Sequence, residues 1–277
     1  MKYVDLHLHT TYSDGIITPK NIVRMAKERG LGIISITDHD TFFGYHEAKD
    51  LAKEKGITLV PGVEMTTNVG HILALGFNPE NKEFDEMLKR IRELQREITQ
   101  ERIELLVGAG IPISIEKVDK IFPHCSLGKY HLMRTLLLDE HCSNYFTQRE
   151  IYLPHEKYRK TLSSGAVAGR VYRKIELDVF EAMEKVRQAE GISIIAHPSK
   201  HGRKPEDFKE VLKKVDGIEV QPRFKENARH FIEYAKAKGL LITYGSDLHM
   251  PSEGKEMLGR NGNVLENRVL ERLGINS

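Results

Sequence analysis

The chain has 277 residues, of which 40% are hydrophobic, and its 42 basic and 40 acidic residues give a formal net charge of +2. These values are typical of a globular protein large enough to bury a core, and they exclude a disordered chain and a strongly basic, nucleic-acid-binding surface. There is no secretion signal, no bilayer-length apolar run and, with two cysteines, no disulfide framework. We therefore expect a cytoplasmic protein with no membrane partner and no stable duplex nucleic-acid partner.

Short apolar runs of strand length recur along the chain, and most precede an amphipathic stretch of helix length. The predicted strands cover residues 4–8, 33–36, 57–60, 72–75, 192–195, 218–220 and 241–244. Helices are predicted to begin near residues 19, 44, 178, 206 and 226, with a last one over 264–273. This alternation predicts an α/β fold in which parallel strands form a sheet or barrel with helices outside it.

One block breaks the alternation. No strand-like run appears in residues 79–175, where 83–108 and 126–138 have the pattern of helices and 163–169 that of a polar loop. The expected domains are therefore a barrel formed by residues 1–78 and 176–277 and a helical insertion, residues 79–175, that caps the substrate.

Chemistry-bearing residues stand at one end of nearly every predicted strand. Of the thirteen histidines, His7 and His9 alternate with apolar residues in the first strand and so point to one side. The other residues of this set are Asp14, His39, Glu64, His71, His197, Asp247 and His249. Because parallel strands bring their carboxyl ends to one face, where barrel active sites are built, these side chains are expected to meet. Six imidazoles and three carboxylates suit two or three divalent metal ions.

Each of these residues also has a simpler interpretation by itself. Asp14 alone would be read as a turn cap and His71 as a satisfied core histidine. The complete set favours a metal cluster, since buried histidines and carboxylates without partners are costly. Asp38 and Asp40 flank His39 and serve either to orient it or to form the turn.

Five ordered segments resemble those of the PHP (polymerase and histidinol phosphatase) metallohydrolases. They are His-Leu-His-Thr-x-x-Ser-Asp-Gly from residue 7, Thr-Asp-His-Asp from 37, Pro-Gly-Val-Glu from 61, Ala-His-Pro from 196 and Gly-Ser-Asp-Leu-His from 245. Within that family, the Thr-Asp-His-Asp-Thr segment and the helical insertion are most similar to the nucleoside 3′,5′-bisphosphate phosphatases and 5′-to-3′ exoribonucleases. The resemblance implies a distorted (β/α)7 TIM-like barrel with a trinuclear metal site.

The resemblance also implies a role for each matched residue. One metal would be held by His7, His9, Glu64 and Asp247, and Glu64 would bridge to a second metal completed by His71 and His197. The third would be held by Asp14, His39 and His249. The set contains no thiolate and is compatible with Mn, Fe or Zn. The residues implied in catalysis are Asp14, Glu64, His131 and Asp247.

A segment of the insertion, Gly-Lys-Tyr-His-Leu-Met-Arg from residue 128, is similar to one that the family places over the substrate phosphate. This similarity implies that Lys129, His131 and Arg134 contact the substrate and makes His131 a candidate proton donor to the leaving oxygen. His131 and Arg134 are three residues apart and so share a helix face. Further candidates for phosphate contacts, each with solvated surface charge as the alternative, are Arg223, Lys200 and Arg170.

The predicted function is metal-dependent hydrolysis of a nucleotide phosphomonoester, in a 3′,5′-bisphosphonucleoside or short oligonucleotide, by a metal-activated hydroxide. Phosphate ion is expected in the site. A histidinol-phosphate phosphatase or other small-molecule phosphatase would share the metal site, whereas a DNA exonuclease would be more basic. A non-catalytic metal-binding module would be expected to have lost ligands, and here all nine positions are filled.

Cys125 and Cys142 are expected to be ordinary reduced cysteines rather than zinc ligands.

Overall fold

A computed structural model describes residues 2–108, 110–147, 177–221, 225–250, 258–259 and 264–275. The chain divides into two compact units, which we call the barrel unit (Met1–Lys89 and Glu176–Ser277) and the helical unit (Arg90–Ile175). Within the described residues, the helices are α1 (Pro19–Glu28), α2 (Phe43–Glu54), α3 (Lys82–Gly108), α4 (Ile115–Ile121), α5 (Lys129–Leu138), α6 (Glu140–Thr147), α7 (Val179–Gln188), α8 (Lys225–Lys238) and α9 (Asn267–Arg272).

The barrel unit is built on one seven-stranded sheet whose strands follow one another in chain order. They are β1 (Tyr3–Leu8), β2 (Leu31–Ile36), β3 (Thr58–Thr67), β4 (Gly70–Leu75), β5 (Ile192–Ile195), β6 (Gly217–Val220) and β7 (Leu241–Tyr244). The backbone N–H of His9 donates to Leu248 O at 3.0 Å, and that of Asp247 donates to His7 O at 2.9 Å. These bonds join the segment after β7 to β1 and nearly close the sheet into a barrel. The predicted α/β TIM-like barrel is therefore confirmed.

The prediction that all strands run parallel is wrong at β4, which is antiparallel to both β3 and β5. Strands β3 and β4 form a hairpin in which Thr67 pairs with Gly70, so the chain reverses within two residues. Gly70 has a φ of +132°, a backbone conformation that a residue with a Cβ rarely adopts. The hairpin also lengthens β3 beyond the predicted residues 57–60, and Glu64 therefore lies inside a strand rather than after it.

Helices α1 and α7 begin where the sequence predicts, for identifiable reasons. Pro19 occupies the first turn of α1, where its missing N–H costs nothing. The Asp178 carboxylate caps α7 by accepting from the backbone N–H groups of Phe180 and Glu181, at 2.8 and 3.2 Å.

The helix predicted near residue 206 is wrong. The structure has short 3-10 turns there, Pro205–Phe208 and Val211–Lys213. Pro205, Phe208 and Val211 are all buried. Their spacing of three residues matches the three residues per turn of a 3-10 helix, which places all of them on one face.

Two apolar clusters support the barrel. One packs α1 and α2 against β1 and β2, with fully buried Leu8, Ile22 and Ile34 among its members. The other joins the strands to the carboxyl-terminal segment and includes Leu6, Leu73, Ile194 and Val269. Each such side chain contributes roughly 1.5–3 kcal/mol of stability, so the barrel is a rigid support for its strand ends.

The helical unit has a core of its own, contributed by the end of α3 and by α4 and α5. Its members are Ile103, Leu106, Ile113, Val118, Phe122, Leu127, Leu132, Met133, Leu136 and Cys142. Helix α4 begins at a Ser114 cap, whose Oγ accepts from the backbone N–H of Lys117 at 3.4 Å. Among the described residues, no helix combines the length and apolar character that a membrane-spanning segment requires.

Candidate metal centre

The centre of the site is a group of four donor atoms from β1, β3 and the segment after β7. The Nε2 atoms of His7 and His9 are 3.1 Å apart, and both lie 3.1–3.2 Å from Glu64 Oε2. Asp247 Oδ1 is 3.5 Å from the first of these nitrogens and 3.4 Å from the second. All of these side chains are at most 2% exposed. The strand alternation in β1 thus brings both imidazoles to one point, as predicted.

These five separations have the size expected for ligands of one ion. A tetrahedral metal with bonds of about 2.0–2.1 Å holds its donor atoms about 3.4 Å apart. Two imidazole nitrogens and two carboxylate oxygens that converge on one point are a donor set that divalent metals commonly use. The chemistry and spacing of the donor set therefore fit a divalent metal ion.

The other carboxylate oxygen of Glu64 faces a second set of histidines. Oε1 lies 2.8 Å from His71 Nδ1 and 2.9 Å from His197 Nε2. His71 stands at the beginning of β4. If β4 were parallel to its neighbours, His71 would lie at the end of the barrel opposite the other ligands. Because β4 runs antiparallel, its first residues lie at the same end of the barrel as the ends of its neighbours. Glu64, His71 and the nearby His39 form a second group of possible metal ligands.

A third group consists of His9, Asp14, His39 and His249. Asp14 Oδ1 is 3.2 Å from His249 Nε2, and Asp14 Oδ2 is 3.8 Å from His39 Nε2. Two buried atoms of the group, Asp14 Oδ1 and His39 Nδ1, have no hydrogen-bond partner within the described part of the chain. Orphaned buried atoms of this kind are the expected mark of a missing cation. The structure thus brings together all nine residues that were predicted as ligands.

The charges of the cluster influence the protonation state of each carboxylate and imidazole. Burial by itself raises the pKa of Glu64, but the charges of His71, His39 and His7 outweigh it and hold that pKa well below its usual value. The pKa of Asp247 is also held well below its usual value, since burial is outweighed mainly by His7 and His9. Burial lowers the pKa of His39 to about 3, which keeps its imidazole neutral. For His7 and His9 the neighbouring carboxylates outweigh burial, raising the pKa of His7 well above its usual value and that of His9 to about 10. Metals bind ionised carboxylates and neutral imidazoles, so a bound cation would take the place of the protons on these two rings.

Glu219 in β6 is a functional residue that the sequence interpretation missed. Its Oε1 is 2.8 Å from His7 Nδ1, and its Oε2 accepts from the backbone N–H of His197 at 2.6 Å. A carboxylate on the far nitrogen fixes the orientation and tautomer of a ligand histidine, leaving Nε2 free for the metal. The sequence did contain a signal for Glu219, because it stands in the short buried strand Gly-Ile-Glu-Val. Glutamates are rarely buried without a partner, so its position predicts a buried partner.

A glycine makes the contact between Glu219 and His7 possible. A Cβ on Gly245 would stand 2.3 Å from His7 Cβ and 2.4 Å from Glu219 Oε1, closer than such atoms approach. The glycine of the Gly-Ser-Asp-Leu-His segment is therefore required for the segment to lie this close to β1.

Asp38 and Asp40 hold loops rather than facing the cluster. The Asp38 carboxylate accepts from the Thr10 backbone N–H, the Thr10 hydroxyl and the Ser13 hydroxyl, each at 2.6 Å, and so anchors the loop that carries Asp14. Asp40 accepts from the Thr66 backbone N–H at 2.8 Å and from its hydroxyl at 3.0 Å. These contacts support the turn and loop role of Asp38 and Asp40 rather than a direct orientation of His39.

Three residues at or beside the candidate metal centre have a strained backbone conformation. Asp40, His197 and Asp247 have φ values of 54°, 33° and 57°, in the left-handed region that non-glycine residues usually avoid. Such residues cost about 1–3 kcal/mol each and persist where function over-determines them. For His197 the strain is opposed by its backbone hydrogen bond to Glu219.

Some of the predicted substrate contacts lie in the helical unit, and others lie outside the described residues. His131 is 2% exposed within the helical unit, and its Nδ1 accepts from the Gly128 backbone N–H at 3.0 Å. The Arg134 guanidinium lies over the Phe122 ring at 5.1 Å, and Lys129 begins α5. Arg223 and Arg170 lie outside the described residues.

Lys200 lies at the metal centre, where its Nζ is 2.6 Å from Asp247 Oδ2. The cysteines take no part in the three described donor groups. Cys142 is buried with its thiol directed at Pro112 O, 3.2 Å away.

Comparisons with known proteins agree on the kind of molecule. The sequence model of the PHP domain matches residues 5–221. The chain is 29% identical to the 5′-3′ exoribonuclease of Haemophilus influenzae, over 97% of each chain. It is 27% identical to the 3′,5′-nucleoside bisphosphate phosphatase of Chromobacterium violaceum, over 94% of this chain and 91% of that protein. A solved structure from Bifidobacterium adolescentis, described as a metal-dependent phosphoesterase, matches with a TM-score of 0.76 and 25% identity, covering 97% of this chain and 96% of that one.

Proposed function

This chain belongs to the PHP domain family, and we propose that it is a metal-dependent phosphoesterase that hydrolyses a phosphomonoester of a nucleotide. The observation that carries the proposal is the convergence of three donor groups, linked through Glu64 and its neighbours, at one end of the barrel. The relatives support the substrate class, because one is named for a nucleoside bisphosphate and another for RNA.

The distances between donor atoms support a ligand assignment for three ions. His7, His9, Glu64 and Asp247 would hold one ion; Glu64, His71 and His197 a second; and Asp14, His39 and His249 a third. We propose two or three ions of Mn, Fe or Zn, since nitrogen and oxygen donors without a thiolate suit all three metals. Bound metals supply a hydroxide near neutral pH and neutralise charge on the phosphoryl oxygens.

The chain's own residues orient and bury this site. Glu219 accepts the Nδ1 proton of His7, so the Nε2 lone pair of His7 faces the other ligands. Asp38 and Asp40 fix the loops around the ligands through the contacts described above. His131 accepts at Nδ1 from Gly128, which leaves the proton of the neutral ring on Nε2. That N–H suits the proposed role of His131 as donor to the leaving oxygen.

The substrate contacts and the domain roles are also part of the proposal. Lys129, His131, Arg134 and Arg223 would contact the substrate, and the helical insertion, residues 79–175, would cap it. Catalysis would rest on Asp14, Glu64 and Asp247 together with His131. Phosphate, as product, would occupy the site after turnover.

The test combines metal content with phosphate release. Protein purified without chelator is subjected to elemental analysis and assayed against 3′,5′-bisphosphonucleosides, mononucleotides, short RNA and histidinol phosphate. We expect at least two metals per chain and a preference for the bisphosphonucleosides or short RNA. Asp14→Ala and His249→Ala should lower both metal content and turnover, whereas His230→Ala, at an exposed histidine of α8, should change neither.

The outcomes separate the alternatives. Fewer than two metals per chain would contradict the multinuclear site, and a preference for histidinol phosphate would favour the small-molecule phosphatase. Unchanged hydrolysis in both ligand variants would exclude the metal-dependent enzyme. A loaded protein that hydrolyses none of these phosphoesters would indicate the non-catalytic metal-binding module.

A further inference from the structure

Two aromatic side chains of the barrel unit come from the segments that carry ligands of the third donor group. Tyr12 stands two residues before Asp14, and Phe43 begins α2 four residues after His39. The centroids of the two rings are 6.0 Å apart, and the ring planes meet at 68°. Phe43 is 37% exposed. This pair, which we call the aromatic corner, therefore presents apolar surface next to two proposed metal ligands.

Asp38 explains why the two segments lie together. Its carboxylate accepts from the Ser13 hydroxyl at 2.6 Å and so holds the loop that contains Tyr12 against the segment that leads into α2. Gly44 allows α2 to begin this close, because a Cβ at that position would stand 2.4 Å from Asp38 Oδ2. The contacts that anchor the ligand loop thus also fix the aromatic corner.

The core beside the start of α2 is filled by another residue. Phe42 is 4% exposed, and its ring centroid lies 5.3 Å from that of Phe77. Phe42 therefore anchors the beginning of the helix, whereas the adjoining Phe43 leaves more than a third of its surface to solvent. The exposed ring of Phe43 is not explained by packing of the core.

A further exposed apolar side chain belongs to the same part of the barrel. Ile16 is 40% exposed, and its backbone N–H donates to His249 O at 2.9 Å. Single exposed apolar residues are common on protein surfaces. Here, however, both Ile16 and Phe43 lie on segments that hold the third donor group, and such a grouping points to a ligand.

An aromatic corner of this geometry suits a planar ring. A ring that stacks on one side chain meets the other nearly at a right angle, and offset stacking and edge-to-face contact are both favourable. Nucleobases stack on aromatic side chains because every base has a π face. A nucleotide carries its base on the sugar that the phosphate esterifies, so the base can contact residues that adjoin the metal ligands.

We propose that Tyr12 and Phe43 bind the nucleobase of the substrate by stacking. The inference rests on the proposed function and adds to it a contact for the part of the substrate that carries no phosphate. The enzyme should therefore distinguish a nucleotide from the same sugar phosphate without a base.

The test compares kcat/KM for adenosine 3′,5′-bisphosphate with that for 1-deoxyribofuranose 3,5-bisphosphate, which has the same phosphates and no base. The wild type should prefer the nucleotide at least about tenfold, and in Phe43→Ala and Tyr12→Ala this preference should fall at least about fivefold. Phe43→Trp keeps an aromatic face and should retain the preference, whereas Phe43→Leu should lose it. Tyr3→Ala removes a 51% exposed ring of β1 and is the matched control, with no change expected.

A second readout does not depend on turnover. Calorimetry on the metal-loaded protein uses an adenosine 5′-phosphonate in which a methylene group replaces the ester oxygen, so that it cannot be hydrolysed. Both alanine variants should bind this compound at least about fivefold more weakly than the wild type. Circular dichroism and elemental analysis confirm that each variant is folded and keeps its metals.

The outcomes separate this inference from the proposed function. An unchanged preference together with unchanged binding in both alanine variants would overturn the stacking site. If the wild type hydrolyses no phosphoester, the proposed function fails, and the binding comparison still decides whether the aromatic corner holds a nucleobase.

Discussion

Buried histidines have different surroundings in the barrel unit and in the helical unit. In the barrel, the Nε2 atoms of His7 and His9 face each other at 3.1 Å, with ionised carboxylates around them. In the helical unit, His131 is buried to the same degree, yet its Nδ1 accepts from Gly128, and its ring meets the Phe122 ring edge-on at 4.9 Å. Burial by itself therefore does not mark a candidate metal centre, whereas the convergence of several imidazole nitrogens and carboxylate oxygens on one point does.

The same contrast exists inside the barrel. Asp38 is completely buried and close to the ligands, but three donors from Thr10 and Ser13 satisfy it. Glu64 is equally buried, and its carboxylate oxygens lie within 3.2 Å of four histidines that are themselves proposed ligands: His7, His9, His71 and His197. The Asp38 carboxylate therefore holds a loop in place, whereas the Glu64 carboxylate belongs to two of the donor groups.

Removing the charge of Glu64 should have the largest effect. Glu64→Gln keeps the shape of the side chain but weakens a ligand that faces two donor groups. We expect the loss of at least one metal per chain and a fall in turnover of about a thousandfold, or about 4 kcal/mol of transition-state stabilisation. Elemental analysis and phosphate release provide the measurement.

The control for this prediction is another glutamate of the barrel unit. Glu210→Gln changes a carboxylate that is 67% exposed and pairs with Lys213, so metal content and turnover should remain at wild-type values. Full metal content and activity in Glu64→Gln would show that the barrel cluster does not hold the metals on which the proposed function depends.

An intermediate effect is expected at Glu219, which touches ligands without being one. In Glu219→Gln the amide cannot accept from both His7 Nδ1 and the His197 backbone N–H, so the orientation of His7 is less well fixed. Metal affinity should fall about 10- to 100-fold. Competition with a fluorescent chelator measures it, and restoration of turnover at higher metal concentration would distinguish this positioning role from a general loss of structure. An affinity equal to that of the wild type would contradict the role.

The smallest effect on metal binding is expected in the helical unit. His131→Ala removes the acceptor for the Gly128 N–H and leaves space beside Phe122, so the free energy of unfolding should fall by about 1–2 kcal/mol. Thermal unfolding followed by circular dichroism measures the loss. Metal content should stay at the wild-type level, and a decrease would place His131 with the barrel histidines and remove the contrast between the two units.

Much of the candidate site could be predicted because its signals are local. His7 and His9 share one face of β1 through the two-residue period of a strand, and short motifs contain Asp14, Glu64 and Asp247. The direction of β4 could not be predicted, since an apolar run of four residues, 72–75, has the same pattern in a parallel and an antiparallel strand. The 3-10 turns at 205–213 were missed because buried residues three apart are also compatible with an α-helix.

The sequence by itself determined which groups carry the chemistry, in what order they occur, and that a barrel presents them, because alternation and motif spacing act over a few residues. Only the tertiary structure decided how they meet. Glu219 reaches His7 from 212 residues away, Lys200 pairs with Asp247, and the Tyr12 ring comes beside the Phe43 ring. Such contacts depend on how the strands pair and on how closely loops such as the one at Gly245 approach β1, and these are properties of packing rather than of local periodicity.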